Sequence, residues 1–398
     1  MHTLKSQSLV FLSGKRTAFG AYGGLLKDIS PIDLSVTASK AALDQAKVTP
    51  AQIDHVIFGS VLSSAPEAIY VPRHIGLKLE IPQSVPALGL NRLCGTGFQV
   101  IIEAFHQMLA GDTEVALVGG VENMSMTPYA IRGARWGLRM GHTQTIDMMT
   151  ESLTDNSIQA PMAITAENLA EHYKISRDAV DAYALLSQTR CAEAAKAGRF
   201  SDEIAPYSIK DRKGNVVAFT QDEHPKPETT KESLAKLKAI FKKDGVVTAG
   251  NASGIVDGAA AMVVATEDRA AKEGWKPMGR LLAYGISGCD PKMMGIGPAP
   301  AIRQALKRAN MTLDQIDLIE VNEAFSAQYL AVEKELGLNR AITNVNGGAI
   351  AIGHPLAASG TRIVQTLLYE LHRQGKRYGI GSACIGGGQG IALIVEAL

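Results

Sequence analysis

Cys94 stands in residues 91–97 (NRLCGTG), just ahead of an apolar pattern with helical spacing. A thiol at a helix N-terminus feels the positive end of the helix dipole, which favours the reactive thiolate. The flanking glycines let another group come close to the sulfur. A cysteine so placed is either a nucleophile or a buried thiol that only packs. His354 lies near the end of residues 346–355 (NGGAIAIGHP). Helices rarely start in a glycine-rich, proline-terminated stretch, so His354 is expected on a loop at a strand end. Its imidazole either takes a thiol proton near neutral pH or is a hydrogen-bonded structural group. Cys384 opens residues 384–390 (CIGGGQG). The three glycines read either as a plain loop or as backbone N–H groups aimed at a developing oxyanion.

Other motifs fail. Gly14-Lys15 lacks the glycine five residues earlier that a P-loop needs, since that position is Leu9. The triple glycine does not fit GxGxxG, and no two histidines have HExxH spacing. The four cysteines, Cys94, Cys191, Cys289 and Cys384, form no CxxC pair, so neither a zinc site nor a disulfide framework is expected. Cys191 sits among alanines with helical spacing and reads as core packing.

The elements that must hold these groups repeat. Residues 41–58 (AALDQAKVTPAQIDHVIF) match 304–321 (QALKRANMTLDQIDLIEV). Each copy reads as a helix, a short threonine-led turn and a β-rich run. Asn322 and Glu323 follow the second run, where the first copy has Gly59 and Ser60. A second match sets Cys94-Gly95-Thr96 against Ser359-Gly360-Thr361. Both are followed by apolar helical patterns that stop near Gly111 and Gly375, and then by glycine-ended strands. Two collinear matches indicate a duplication of an αβ unit of about 120 residues. Strands alternating with helices argue for largely parallel sheets covered on both faces. In such sheets ligands gather at the carboxyl ends of strands, where Asn322, His354 and the two cysteines fall.

Residues 9–12 read as a strand and 14–17 as the loop after it. Residues 123–250 break the repeat and read as an insertion in the first half, with helices at 165–173 and 177–197. Between residues 210 and 244 it carries nine Lys/Arg and six Asp/Glu. Residues 258–265 resume a strand. The domains are therefore 1–122 (completed by 251–275), 123–250 and 276–398.

The whole chain has 398 residues, 46% apolar and 20% charged, enough for more than one core. Forty basic against 39 acidic side chains give a net charge of +1, which argues against a nucleic-acid partner. No apolar run reaches the length of a transmembrane helix. Residues 1–27 hold Lys5, Lys15, Arg16 and Lys27 but no acid, as mitochondrial targeting segments do. The strand at 9–12 argues that any such segment stays uncleaved.

Taken together, residues 91–97, 322–325 (NEAF), 346–355 and 384–390 resemble the thiolase family over essentially the full length. GAYGGLLKD at 20–28, KKDGVVTAGNASG at 242–254 and SGCDPKMMGIGP at 287–298 resemble its mitochondrial 3-ketoacyl-CoA branch. The resemblance implies a five-layer αβαβα fold of two similar halves with an inserted loop domain. It implies a homotetramer (a dimer of dimers) in the mitochondrial matrix, with a cytoplasmic location as the alternative. It implies acyl transfer to CoA as co-substrate, with no permanent cofactor and no metal. By similarity Cys94 becomes the acyl-thioester, and His354 activates it. His354 would contribute to one oxyanion hole, in which Asn322 would position a water. The N–H groups of Cys94 and Gly386 would form the other. Cys384 would be the second acid/base. Lys226, Thr229 and Ser253 would hold CoA, with Lys226 standing where the family carries arginine. Met162, Met294 and Phe325 would line the pantetheine and acyl tunnel. The alternatives are an acetoacetyl-CoA-specific thiolase and an acyl-CoA-binding protein without turnover. A ketoacyl synthase, of the same fold, would lack the second cysteine.

Overall fold

The computed structural model describes residues 8–210 and 214–398. The part of the targeting reading that rests on residues 1–7 lies outside them. The main strands are β1 (Leu9–Thr17), β2 (His55–Gly59), β3 (Ala87–Leu90), β4 (Val115–Asn123), β5 (Val256–Thr266), β6 (Gly279–Gly288), β7 (Leu318–Val321), β8 (Tyr378–Ile385) and β9 (Gln389–Ala397). Their order is β7-β8-β9-β6-β1-β5-β4-β2-β3. Apart from the edge strand β3, the order is mirrored about the β6–β1 neighbours, as the duplication requires. Among the described residues the two half-sheets are laddered together at Val10–Arg280 and Phe11–Gly279.

The pairing corrects one expectation. Among these nine strands the β2–β3, β2–β4 and β7–β8 pairs are parallel. The β1–β5, β4–β5, β1–β6, β6–β9 and β8–β9 pairs are antiparallel. The reason is local for β8 and β9, since the glycines at 386–388 join them as a hairpin, and hairpins join only antiparallel neighbours. Residues 14–17 are also not a loop. β1 continues through them because Arg16, fully buried, gives its guanidinium to Asp222 at 2.7 and 2.9 Å.

The repeated turns have a shared cause. Helix α1 (Pro31–Ala46) and helix α5 (Pro298–Ala309) are each followed by a one-turn 3-10 segment. Thr49 with Gln52, and Thr312 with Gln315, form capping boxes there, so the repeated Thr-x-x-Gln is a folding signal. Helices α2 (Thr96–Ala110) and α7 (Leu356–Gln374) end on Gly111 and Gly375, both left-handed. In the insertion, helices α3 (Met162–Tyr173) and α4 (Arg177–Lys196) lie where helices were expected. Helix α6 (Ser326–Leu336) follows β7.

Three apolar cores define five layers. One packs α1 on the outer face of the first half-sheet. One packs α5 and α6 on the outer face of the second. The third holds α2 and α7 between both half-sheets, with Phe11, Val118 and Met262 on one side and Ala383, Ile391 and Leu393 on the other. Phe98 lies at its centre, fully buried, which contributes about 3 kcal/mol. Among the described residues no helix is long and apolar enough to cross a membrane.

Candidate active site

The N-termini of α2 and α7 meet between the half-sheets, and both cysteine and histidine loops open there. Leu93 takes a left-handed φ of 48°, which a leucine avoids. Two side chains hold the turn. Asn91 Oδ1 accepts from the Leu93 N–H, and Thr96 Oγ1 from the Arg92 N–H, both at 2.8 Å. Cys94 is thereby set at the head of α2.

The N–H groups of Gly386 and of Cys94 itself hydrogen-bond the Cys94 sulfur. Both favour the thiolate. Burial opposes them and wins: it pushes the thiol up to about 11, and the Glu122 carboxylate adds to the rise. The residue keeps a partly exposed surface, yet its sulfur is surrounded by protein. The helix dipole alone therefore does not give a thiolate at neutral pH, and a base is needed.

His354 lies on a loop, as expected, but not at a strand end. It sits between a short helix, Ala349–Ile352, and α7. That helix forms inside the glycine-rich stretch because Glu323 Oε2 accepts from the Ile350 N–H at 3.1 Å, a cap supplied from another segment. The His354 N–H donates to the Gly254 carbonyl at 2.9 Å. Its Nδ1 is 2.5 Å from Ser359 Oγ, and its Nε2 is 3.3 Å from Asn322 Nδ2. Burial, and then the charge of Arg362, push the imidazolium down to about 3, so the ring is neutral.

Asn322 follows β7, and its N–H donates to the Ser382 carbonyl at 2.8 Å. Its Oδ1 is buried with no hydrogen-bond partner among the described residues. Cys384 is the penultimate residue of β8, opposite Gly390. Its thiol is raised well above the ordinary value, first by burial and then by the charge of Cys94. The two thiols therefore sense each other. Cys384 packs with Met294 and Ala324, and Met162 and Phe325 close that cluster. A β-carbon at Gly386 would lie 3.2 Å from Leu93 Cδ1 and 3.6 Å from Met162 Sδ. Six of the sequence-predicted residues, Cys94, Cys384, Gly386, Met162, Met294 and Phe325, are thus tied together, and Asn322, hydrogen-bonded to Ser382 of the Cys384 strand, lies 3.3 Å from His354.

Ser253 adjoins it, its N–H donating to the Ala324 carbonyl at 2.9 Å. Lys226 and Thr229 lie on a surface turn instead. Thr229 Oγ1 donates to the Lys226 carbonyl at 2.7 Å, and the Lys226 N–H donates to Gln188 Oε1 at 2.9 Å. Gln188 Nε2 reaches the Ile350 carbonyl at 3.3 Å, which ties this turn to the helix before His354. A separate cavity of about 700 Å³, lined by Cys191, Lys196, Phe200, Asp222, Pro225 and Pro227 among others, holds none of these groups.

Three residues lacked a role in the sequence reading. Glu323 is fully buried and accepts from Tyr183 and Ser187 hydroxyls, both at 2.7 Å, and from Asn344 Nδ2 at 3.1 Å. Glu122 accepts from the N–H groups of Leu62 and Ala357, so it pins the first half to the start of α7. Nothing in the sequence marks it. Ser359 was visible as the counterpart of Cys94 in the repeat.

Two duplicated αβ halves, with two thiols, an imidazole and an amide around the meeting helix heads, make the chain an acyltransferase. The chain belongs to the thiolase family: residues 9–268 match the thiolase N-terminal domain and 275–397 the thiolase C-terminal domain. It is 54% identical over 387 residues to human mitochondrial 3-ketoacyl-CoA thiolase, covering 97% of each chain. An acetyl-CoA acetyltransferase of Chromobacterium violaceum is 46% identical, covering 98% of this chain and 99% of that one. The crystal structure of the human mitochondrial 3-ketoacyl-CoA thiolase in complex with CoA superposes with a TM-score of 0.96 at 52% identity, covering 98% of each chain.

Proposed function

We propose that this chain is a 3-ketoacyl-CoA thiolase of fatty acid β-oxidation, working through an acyl-Cys94 intermediate. The observation that carries the assignment of roles is Cys94 at the head of α2 beside Gly386 and the second thiol, with the neutral His354 ring 3.3 Å from Asn322. His354 Nε2 takes the Cys94 proton as the sulfur attacks the 3-keto carbon. The oxygen that becomes anionic sits where the Cys94 and Gly386 N–H groups point. The C–C bond breaks, the acyl group stays on Cys94, and the acetyl-CoA enolate leaves. Asn322 and His354 hold the enolate oxygen, and Cys384 protonates its carbon. CoA then attacks the acyl-thioester, its thiol proton passing to the Cys384 thiolate, and His354 returns its proton to the departing Cys94 sulfur. Each step reverses, so the same groups support condensation.

Lys226, Thr229 and Ser253 bind CoA in this reading, and Met162, Met294 and Phe325 line its tunnel. The turn at 226–229 is supported by its link through Gln188 to the His354 segment. The domain division at 1–122 with 251–275, 123–250 and 276–398 is supported by β5, which pairs with β1 and β4 of the first half. A homotetramer is supported by exposed Tyr129, Ile131, Trp136, Leu138 and Met140 on one arm of the insertion. The mitochondrial relatives support a matrix location.

The test is CoA-dependent loss of a four-carbon and a longer 3-ketoacyl-CoA, on wild type and Cys94→Ala. Cleavage of both, abolished in the variant, is expected. Cleavage of the four-carbon substrate alone makes the enzyme an acetoacetyl-CoA specialist, the activity class named for its 46% identical relative. Cleavage of neither ends the thiolase reading.

A further inference from the structure

Cys94 and Ser359 hold the same place in the two copies of the repeat, in Cys94-Gly95-Thr96 and Ser359-Gly360-Thr361. Their helices meet at the following turn, where Thr361 Oγ1 donates to the Gly97 carbonyl at 3.0 Å. The residue at the nucleophile's place in the second half carries a hydroxyl, and that hydroxyl meets His354. Ser359 is buried, and its Oγ has two partners: His354 Nδ1 at 2.5 Å and the Pro355 carbonyl at 3.2 Å.

A hydroxyl has one proton to give. A carbonyl can only accept, so the Ser359 proton goes to Pro355. The Ser359 oxygen then has lone pairs left, and it accepts a proton from Nδ1. The imidazole proton is thereby placed on Nδ1, and Nε2 keeps its lone pair. The Nε2 side agrees, because the Asn322 Nδ2 that approaches it is a donor. The opposite tautomer would set Nε2–H against that N–H and would take the Ser359 proton away from Pro355. His354 is neutral, so the choice of tautomer is a real one.

We infer that Ser359 is a positioning residue that fixes the Nδ1–H tautomer of His354 and so leaves Nε2 free to accept the Cys94 proton. One copy of the repeat supplies the nucleophile, and the other supplies the residue that orients its base. The inference rests on His354 acting as base for Cys94.

The experiment compares wild type, Ser359→Ala, Ser359→Thr and His354→Asn as full-length proteins. It reads the rate of Cys94 alkylation by iodoacetamide at pH 7.5, together with kcat and the KM for CoA in thiolysis. Ser359→Ala is expected to slow alkylation and lower kcat, each about tenfold, at the low edge of general-base contributions. Its KM for CoA should stay within twofold. Ser359→Thr keeps the hydroxyl and should recover most of both rates. Unchanged alkylation and kcat in Ser359→Ala would overturn the inference. So would equal losses in Ala and Thr variants accompanied by a lowered melting temperature, which marks a packing role. If His354→Asn alkylates at the wild-type rate, the base reading itself fails and takes the inference with it. Slowed His354→Asn beside an unaffected Ser359→Ala rejects the inference alone.

Discussion

Gly97 and Gly360 touch backbone to backbone where the two central helices meet. A β-carbon on Gly97 would stand 2.5 Å from the Thr361 nitrogen and 2.7 Å from the Ala357 carbonyl oxygen. One on Gly360 would stand 2.7 Å from the Gly97 carbonyl carbon. Backbone cannot swing aside as a side chain can. Gly360→Ala should therefore destabilise the fold by about 1–3 kcal/mol, the usual cost of overpacking. Because the helix heads carry Cys94 and Ser359, the variant should also lose thiolysis. A melting curve matching wild type would show that the contact is not needed.

Cys94 combines a high thiol pKa with a neutral neighbouring imidazole. With His354 replaced by Asn, its alkylation should follow the thiolate fraction. With a pKa of about 11, that fraction grows about tenfold per pH unit from 7 to 10. The rate should keep climbing and should not level off near pH 7. A plateau below pH 8 in that variant would mean that the thiol titrates far below about 11.

The chemistry-bearing residues were legible because backbone geometry demanded special sequence. The NRLCGTG turn needs Asn91 and Thr96 as its props, and the hairpin between β8 and β9 needs glycine at positions 387 and 388, both left-handed. The duplication was legible because capping boxes repeat. The antiparallel majority was not, since pairing direction depends on which strands meet across the insertion. Nor was the short helix before His354, whose cap is Glu323 from a distant segment. Glu122 is silent in the sequence because its donors are backbone N–H groups, which every residue carries. The protonation state of Cys94 was not legible, because dipoles can be read from helix starts, while burial cannot.

Glu323 collects four donors in a dry site: two hydroxyls, the Asn344 amide and the Ile350 N–H. Glu323→Gln should replace one acceptor oxygen by a donor facing donors. A loss of about 3 kcal/mol is expected, in the range for breaking a buried charged network. The His354 loop should loosen with it, since Ile350 begins the helix ahead of it. Urea unfolding, with kcat measured on the folded fraction, checks both. An unchanged midpoint would show that the network is not structural.

Lys226 is exposed, on a turn held by Gln188 and Thr229. An exposed lysine facing a phosphate contributes modestly and is screened by salt. Lys226→Ala should therefore raise the KM for CoA by about three- to fivefold at low ionic strength, corresponding to roughly 0.6–1 kcal/mol. The kcat should hold. The difference should shrink at 0.5 M salt. A change in kcat with KM intact would place Lys226 outside the CoA site.

In the proposed mechanism Cys384 and Cys94 have separable duties, because acylation of Cys94 makes and breaks only bonds at the carbonyl. Proton transfer at the α-carbon is the one step assigned to Cys384. Cys384→Ala should thus still form acetyl-Cys94 from labelled acetyl-CoA. It should lose thiolysis and α-deuterium exchange by about 10²–10⁴-fold, the contribution of a positioned general acid or base. The fold should survive, since the substitution removes one small buried atom beside Met294 and Ala324. Cys94→Ala should lose both label and turnover. If Cys384→Ala also failed to take up label, the two thiols would act as one unit in acylation, and Cys384 would have to be reassigned to that step.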